Sequence, residues 1–402
     1  MAPDSRERRI VRPFLLWKSL EGPGENAGGT CNVSREAVET FELRHPRGTT
    51  RHFYGAGALA AGWAALAPEL SGRTLFAVSS RPILDLHGAR LEPARRLARS
   101  FHLFEVPDGE AAKSAAEAER LWRRMTSAGG KRDSRVIAFG GGSVGDLAGF
   151  AAGTFLRGVA WIQVPTTLLA QVDAAVGGKT AIDLAEAKNA VGIFHHPLAV
   201  VADADLLATL GPQHVRAGLV EAIKTAAVAD ARLFDLVEAR LDRLLAGEPG
   251  ALAEVAAGAA RAKAALVESD PEEAGARKLL NLGHTLGHAI EAETGYVAIS
   301  HGDAVAHGLR FALRLSLAAG GDPAFAGRLG RLLERLAVPA LPPLGAEALL
   351  ARVALDKKAR EDGLAWVLVD GPGRGRIAAT LSPGLVRREL ESWLGGPPPD
   401  SL

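Results

Sequence analysis

Cysteine is nearly absent from the sequence: Cys31 is the only one among 402 residues. A single cysteine excludes an intrachain disulfide and a metal site built from several thiolates. This composition is typical of proteins in a reducing compartment, so we expect a cytoplasmic protein. Residues 1–12 mix arginine with acidic residues, and no apolar segment follows them, which argues against a secretory signal.

Long apolar runs and an excess of one charge are also missing. No run reaches the roughly 18 apolar residues that a membrane span needs, so we expect no membrane-spanning segment. The 47 lysines and arginines nearly balance the 46 aspartates and glutamates, which leaves a formal net charge of +1. Without a basic stripe, we expect no nucleic-acid partner. Any anion-binding site must therefore be built from a few locally placed cations.

Alternating strand and helix patterns begin at residue 74. The sequence predicts strands at 74–79, 101–106, 135–139, 160–164 and 199–202, with a helix at 111–128. This alternation indicates a Rossmann-like α/β domain with a parallel sheet. From residue 213 to about 336, the apolar residues have helical spacing instead. We predict an irregular extension over 1–50, an α/β domain over 51–211 and an all-α domain over 212–402.

A glycine-rich turn, GGGSVG at 140–145, follows one of the predicted strands and opens a helix. Glycines in this place let backbone N–H groups approach a pyrophosphate. The acidic residue expected about 20 positions further on, for a ribose, is missing. Asp146, Thr166 and Thr167 supply other polar groups at the same sheet edge. The turn indicates a dinucleotide site of a non-standard type, with a plain strand-to-helix turn as the alternative.

Several histidines and one carboxylate in an apolar segment suggest a metal site. His284 and His288 are spaced i, i+4, so both project from one helix face, and His301 follows in a His-Gly-Asp motif. Glu221 lies in a largely apolar helical segment, with Lys224 at i+3 on the same face. Two imidazoles and one carboxylate with an open position form the catalytic zinc pattern. The alternative for Glu221 is a solvated ion pair with Lys224.

Several cations could bind an anionic substrate. Lys179 follows the paired glycines 177–178, where backbone N–H groups and an ammonium can meet a phosphate together. Each of the further candidates is by itself more often a surface charge: Lys188, Lys224, Lys263, Arg277, Lys357 and Lys358. Together with the histidines, they suggest an anionic substrate.

The chain resembles the 3-dehydroquinate synthase family of sugar-phosphate cyclases. The matching blocks are PDGEAAK (107–113), GGGSVGDLAGF (140–150), RGVAWIQVPTTLLAQVDAAVGGKT (157–180), KN (188–189), AGLVEAIK (217–224), ARKLLNLGHTLGHAIEAETGY (276–296), HGDAVAHG (301–308) and DKK (356–358). They stand in the family's order and span about residues 53–400. The resemblance implies an N-terminal NAD-binding domain followed by a helical domain.

The resemblance also implies roles for individual residues. Glu221, His284 and His301 would hold a divalent metal, zinc or cobalt, whereas His288 would be an acid/base group at the substrate, which revises the pairing of His284 with His288. The implied catalytic residues are Asp173, Lys179, Asn189, Glu221, Lys224 and His288. The implied substrate-binding residues are Lys263, Arg277, Asn281, Lys357 and Lys358, together with Arg157, which would reach the phosphate in the neighbouring subunit of a homodimer. The implied NAD contacts are Asp108, Glu110, Lys113, Gly140, Gly141, Gly142, Asp146, Thr166, Thr167, Lys179, Lys188 and Thr209.

The implied reaction converts 3-deoxy-D-arabino-heptulosonate 7-phosphate to 3-dehydroquinate and phosphate, a step of the shikimate pathway. It combines transient oxidation by NAD, β-elimination of phosphate, re-reduction and an intramolecular aldol closure. NAD ends unchanged, so it is a catalytic cofactor of a carbon–oxygen lyase.

The sequence departs from the family pattern at four places. Ser80 and its neighbours follow the first strand where an acid or amide is common, Glu186 lies where a Pro-x-Gly turn is usual, His196 replaces a glutamine and Asp303 replaces a glutamate.

Three alternatives remain. A sister cyclase could act on an aminated substrate or on sedoheptulose 7-phosphate; the cations for a substrate carboxylate favour a keto acid, and the aminated substrate stays open. Iron-dependent polyol dehydrogenases usually take their metal carboxylate from an aspartate elsewhere, so Glu221 argues against them. A non-catalytic relative would not be expected to keep the metal, lysine and asparagine positions.

Overall fold

A computed structural model describes residues 38–185, 187–296, 298–358, 365–378 and 381–395, without the side chains of 356–358. Its strands are β1 (Glu39–His45), β2 (Gly48–Gly55), β3 (Thr74–Ser80), β4 (Ser100–Val106), β5 (Arg135–Gly140), β6 (Ala160–Pro165), β7 (Lys179–Leu184), β8 (Ala187–Phe194), β9 (Ala199–Asp203), β10 (Trp366–Val369) and β11 (Gly375–Ala378). Seven of them form one sheet in the order β1-β2-β9-β6-β5-β3-β4. All pairs in this sheet are parallel except β1 with β2. The five predicted strands and the Rossmann-like fold are confirmed.

Helices cover both faces of this sheet. They are α1 (Ala58–Leu70), α2 (Arg81–His87), α3 (Glu92–Leu97), α4 (Ala115–Ser127) and α5 (Gly142–Thr154). Successive residues of β3 belong to opposite faces: Leu75 packs in one apolar cluster with α1, and Phe76 packs in another with α4 and α5. Every residue of β3 is buried. A strand covered on both sides needs a continuous apolar run, which is why its sequence was recognisable.

The predicted irregular extension is wrong in its last part. Residues from Glu39 form the β1–β2 hairpin, and β2 pairs in parallel with β9, from Arg51 opposite Ala199 to Gly55 opposite Asp203. Leu43 and Tyr54 contribute buried side chains to the core. The hairpin is stable there because it completes the sheet. Residues before 38 and Cys31 lie outside the described residues.

The second half of the chain is mainly helical, as predicted. Its helices are α6 (Pro212–Ala229), α7 (Ala231–Leu245), α8 (Pro249–Ser269), α9 (His284–Glu293), α10 (His301–Ala318), α11 (Pro323–Arg335), α12 (Ala346–Lys358) and α13 (Pro383–Gly395). It is not entirely α, because β10 and β11 form a two-stranded antiparallel sheet with a buried WVLV run. Within the described residues, none of the helices combines the length and apolarity needed to cross a membrane. The division into domains at residue 211 stays a prediction.

Candidate active site

Three side chains from three helices converge on one point. Glu221 lies in α6, His284 begins α9 and His301 begins α10. Nε2 of each histidine lies 3.6 Å from Oε1 of Glu221. The ligand atoms of the three residues all lie within 4.8 Å of one another. The structure therefore brings together the residues that the sequence predicted as metal ligands, in the donor set of a catalytic zinc site.

The carboxylate of Glu221 is buried and poorly satisfied. The residue is 1% exposed, and among the described residues neither of its oxygens has a hydrogen-bond partner of acceptable geometry. The ammonium of Lys224 forms an ion pair with Oε2. Burial alone would raise the pKa of Glu221, but Lys224 and then His284 lower it to about 2. An ionised, buried carboxylate with unsatisfied oxygens fits a divalent cation.

Close helix packing sets the spacing of these ligands. Gly308 of α10 lies so near the turn before α9 that a Cβ there would overlap the carbonyl oxygen of Gly283. Asp303 forms an ion pair with Arg216 of α6 at 2.8 Å, and its N–H donates to Ser300 Oγ at the start of α10. The aspartate that departs from the family pattern thus ties the helix of Glu221 to the helix of His301.

His288 has a different place from the three converging residues. Its ring lies 5.3 Å from that of His284, at an interplanar angle of 89°. Among the described residues, no set of three ligand atoms contains both histidines; His288 instead joins Glu291 and His301 in a second set. The pairing of His284 with His288 that spacing suggested is wrong for the cluster around Glu221. His288 is exposed beside it.

A network of fixed charges surrounds Asp173. Its Oδ1 lies 2.8 Å from Nζ of Lys263 and 3.5 Å from Nζ of Lys224, and its carbonyl oxygen accepts a second bond from Lys263 at 2.8 Å. Both lysines are buried. Burial lowers the pKa of Lys263, whereas Asp173 and Glu221 overcome burial and raise the pKa of Lys224. The network places fixed donors and acceptors beside the metal-ligand cluster, the group formed by Glu221, His284 and His301.

A second group of predicted residues meets at Glu273. Lys179 forms an ion pair with Glu273, and Asn281 donates to its Oε1 at 2.9 Å. Sequence analysis did not identify Glu273, because one acid in a polar loop gives no pattern. Its φ of 60°, a conformation that costs free energy in a non-glycine residue and that few other residues of the described chain adopt, is a structural signal of a specific role.

Arg277 lies beside this group, fully inside the protein. It is 2% exposed and donates to the carbonyl oxygens of Gly177 at 3.1 Å and Pro271 at 2.8 Å. Gly177 has a φ of +108°, and any Cβ at this position would overlap the guanidinium. Glycine at position 177 therefore leaves the space that the guanidinium of Arg277 occupies.

The glycine-rich turn lies between β5 and α5, at the carboxyl edge of the sheet. A Cβ on Gly140 would lie 2.7 Å from that of Val144, so the helix packs tightly on the strand. The N–H of Thr166 donates to the carbonyl oxygen of Gly140 at 3.0 Å. The Thr166 hydroxyl is buried and has no partner within the described part of the chain. This edge, where parallel strands end, is where such folds bind dinucleotides.

Lys113 lies in a polar cluster that contains residues predicted to contact NAD and residues predicted to contact the substrate. Its ammonium is almost fully buried and lies 2.9 Å from Asp146, 3.6 Å from Glu110 and 3.7 Å from Asp183, and it contacts Oδ1 of Asn189. Burial raises the pKa of Asp146 to about 6, although Lys113 opposes the shift. Residues predicted for two different ligands thus share one polar cluster.

The remaining predicted NAD contacts follow other strands at the same edge. Ser80, which departs from the family pattern after β3, donates its hydroxyl to Asp108 after β4 at 2.8 Å. Thr209, beyond β9, lies 2.9 Å from the ring of His87, and Thr167, after β6, accepts from the N–H of Ala170.

Some predicted residues lie elsewhere or outside the description. Arg157, with a φ of 67°, lines a separate surface cavity together with His45, Arg47, His195 and His196. His196, another departure from the family, stacks on His45 with ring centroids 3.8 Å apart. The role of Arg157 in a neighbouring subunit stays a prediction. The side chains of Lys357 and Lys358, and Glu186, lie outside the described residues.

Comparison with known proteins gives matches over most of the chain. Residues 103–217 match the N-terminal family model of 3-dehydroquinate synthase, and residues 218–359 match its C-terminal model. The 3-dehydroquinate synthase of Xanthomonas campestris pv. campestris is 43% identical over 342 residues, which cover 82% of this chain and 92% of the relative.

Solved structures of other cyclases share the fold. A 2-epi-5-epi-valiolone synthase from Streptomyces hygroscopicus with NAD⁺ and Zn²⁺ bound is 28% identical with a TM-score of 0.77, covering 86% of this chain and 95% of that one. A 2-deoxy-scyllo-inosose synthase complexed with carbaglucose-6-phosphate, NAD⁺ and Co²⁺ is 25% identical with a TM-score of 0.78. The match covers 87% of this chain and 100% of that one. An iron-containing alcohol dehydrogenase from Thermotoga maritima shares the fold alone. It is 16% identical with a TM-score of 0.62, and the match covers 90% of this chain and 100% of that one.

Proposed function

The chain belongs to the 3-dehydroquinate synthase family, and we propose that it converts 3-deoxy-D-arabino-heptulosonate 7-phosphate to 3-dehydroquinate and phosphate. The observation that carries this proposal is the convergence of Glu221, His284 and His301 beside a network of buried lysines. A net dehydrogenase reaction is disfavoured, because the relatives that match most of the chain are synthases.

Glu221, His284 and His301 would hold zinc or cobalt, and the glycine turn with Thr166 and its neighbours would hold NAD. Bound together, these groups supply a reversible oxidation of a substrate hydroxyl, which permits phosphate elimination without net redox change. The two cyclase structures that contain NAD⁺ with Zn²⁺ or Co²⁺ support this assignment.

The protein's own residues would bind and orient the substrate. Lys179, Arg277 and Asn281 lie together and carry the donors that a phosphate or carboxylate needs. Asp173, with its two lysines, would fix substrate hydroxyls near the metal ligands, since its network is already ordered by hydrogen bonds. Exposed His288 would exchange protons with the substrate. The side chains of Lys357 and Lys358 would complete the anion site.

We also propose the setting of this reaction. The protein would be a cytoplasmic carbon–oxygen lyase with an NAD-binding domain up to residue 211 and a helical domain beyond it. It would form a homodimer in which Arg157 reaches the phosphate bound by the neighbouring subunit. The unusual positive φ of Arg157 supports a specific role for this residue.

The test is a phosphate-release assay on purified protein with NAD, zinc and the heptulosonate phosphate, with the product identified by mass spectrometry. We expect equimolar phosphate and 3-dehydroquinate, with no accumulation of NADH. Stoichiometric NADH would instead indicate a dehydrogenase. Failure of the metal-loaded protein to release phosphate, with turnover of sedoheptulose 7-phosphate or the aminated analogue instead, would assign it to a sister cyclase.

A further inference from the structure

Glu291 lies behind the metal-ligand cluster and was not identified from the sequence. It is in α9, 3% exposed, one helical turn after His288. Its Oε2 lies 3.1 Å from Nδ1 of His301, and its Oε1 lies 3.3 Å from Nζ of Lys188. Both carboxylate oxygens therefore have a partner, one on each side.

The contact with His301 determines which ring nitrogen is free. When Nδ1–H donates to Glu291, the lone pair of neutral His301 is on Nε2, which faces Glu221 at 3.6 Å. A carboxylate that accepts this bond also makes Nε2 more basic and holds the ring in place. Glu291 is therefore placed to prepare His301 as a ligand.

The contact with Lys188 leads to the other half of the site. Lys188 belongs to β8, next to Asn189, and its ammonium also lies 4.7 Å from the ring of Tyr296. While Lys188 neutralises part of the charge of Glu291, the carboxylate polarises the imidazole less. If a dinucleotide phosphate attracts Lys188, the full negative charge of Glu291 acts on His301.

We propose that Glu291 is a positioning residue that prepares His301 for the metal and, through Lys188, makes metal affinity depend on the dinucleotide. This inference rests on the proposed roles of His301 and Lys188. Since binding free energies are reciprocal, the metal must raise NAD affinity by the same factor by which NAD raises metal affinity.

The experiment measures zinc affinity by competition with a chromogenic chelator, with and without saturating NAD. For the wild-type protein we expect one zinc per chain and an affinity that NAD raises by roughly fivefold or more. In Glu291→Gln, which keeps the side-chain shape but removes the charge, we expect zinc affinity to fall by roughly 10- to 100-fold and the effect of NAD to disappear.

Two further variants separate positioning from general damage. Glu293→Gln is the matched control, because Glu293 lies in the same helix but pairs with Arg352 at 3.0 Å, away from the cluster. It should behave as wild type. Lys188→Met should raise the zinc affinity measured without NAD towards the value that the wild-type protein has with NAD, and NAD should then raise it no further. This result does not depend on changing a buried residue, so it tests the inference even if Glu291→Gln folds poorly.

Unchanged zinc affinity and an unchanged NAD effect in folded Glu291→Gln would overturn the inference. Zinc retained in Glu221→Gln but lost in Glu291→Gln would also overturn it, since Glu291 would then be a ligand in the set with His288. Failure of the proposed metal site looks different, because the wild-type protein would then bind no stoichiometric zinc. Failure of the proposed substrate assignment would leave zinc binding and its dependence on NAD unchanged and would appear only in the phosphate-release assay.

Discussion

Lys179 can be removed without opening the core, because its side chain is 53% exposed. Its proposed role is to neutralise an anionic substrate, so we expect Lys179→Ala to lower phosphate release by roughly a hundredfold or more. Thermal unfolding should be unchanged. Lys131→Ala, at another exposed lysine, is the control. Near wild-type turnover of Lys179→Ala would remove Lys179 from the site.

His301 tests the metal assignment at the level of one side chain. His301→Ala should abolish phosphate release and stoichiometric zinc binding while the protein stays folded, as circular dichroism would report. Chelator treatment of the wild-type protein should have the same effect on activity, and zinc or cobalt should restore it. Activity that persists after verified metal removal would contradict the metal role.

Some residues of the site could be identified from the sequence and others could not. Glu221 was recognisable because a charge in an apolar helical segment needs a partner or a metal. Glu273 and Glu291 were not, since each is an ordinary acid along the chain. Their importance comes from contacts with Lys179 and Lys188, which are 94 and 103 residues away.

The contact between α9 and α10 allows a test at the scale of helices. Gly308→Ala would force the two helices apart, because the new Cβ would overlap the carbonyl oxygen of Gly283. We expect a loss of about 1–3 kcal/mol in the free energy of unfolding measured with urea. Zinc affinity should fall as well, since His284 and His301 begin these helices.

Gly330→Ala in α11 is the matched control. Its Cβ would make only an ordinary contact with Leu313, 3.9 Å away. Replacing a helical glycine by alanine without a clash should stabilise the protein by roughly 0.4–1 kcal/mol. If Gly308→Ala were equally stabilising, close packing would not set the spacing of the ligands.

Elements were predictable where burial imposed a pattern. β3 and β9 are completely buried, so their apolar runs stood out. The helix predicted at 111–128 is present as α4, but it begins only at Ala115, after the capping residue Ser114. β8 was not predicted, because its residues are mostly exposed and show no alternation of apolar and polar side chains. β1 and β2 were not predicted either: their pairing depends on β9, about 150 residues further along the chain.

The stability of the whole molecule should depend on pH through His52. This residue of β2 is 1% exposed, stacks on Phe41 and has no hydrogen-bond partner for either ring nitrogen among the described residues. Burial, and then His196, lowers its pKa from 6.5 to about 3. As the pH falls, His52 is therefore protonated near pH 6.5 in the unfolded chain but only near pH 3 in the folded protein.

The contribution of His52 is complete above pH 6.5 and is lost as the pH falls towards 3. Between these two pH values, the free energy of unfolding changes through His52 by about 1.4 kcal/mol per pH unit. We expect His52→Phe to reduce the pH dependence of urea unfolding by an amount of this order. His214→Phe, at an exposed histidine of α6, should leave the slope unchanged. Equal slopes for all three proteins would contradict this account.

The touching backbones of Gly283 and Gly308 have one more consequence. Since contact between main chains sets the separation of α9 and α10, side chains that line the neighbouring cleft without taking part in this contact can be exchanged without moving the two helices. Asn281, Thr285 and Lys278 line that cleft beside the two histidines of α9. Substrate preference in this scaffold can therefore be redesigned by exchanging lining residues, provided that the two glycines are left alone.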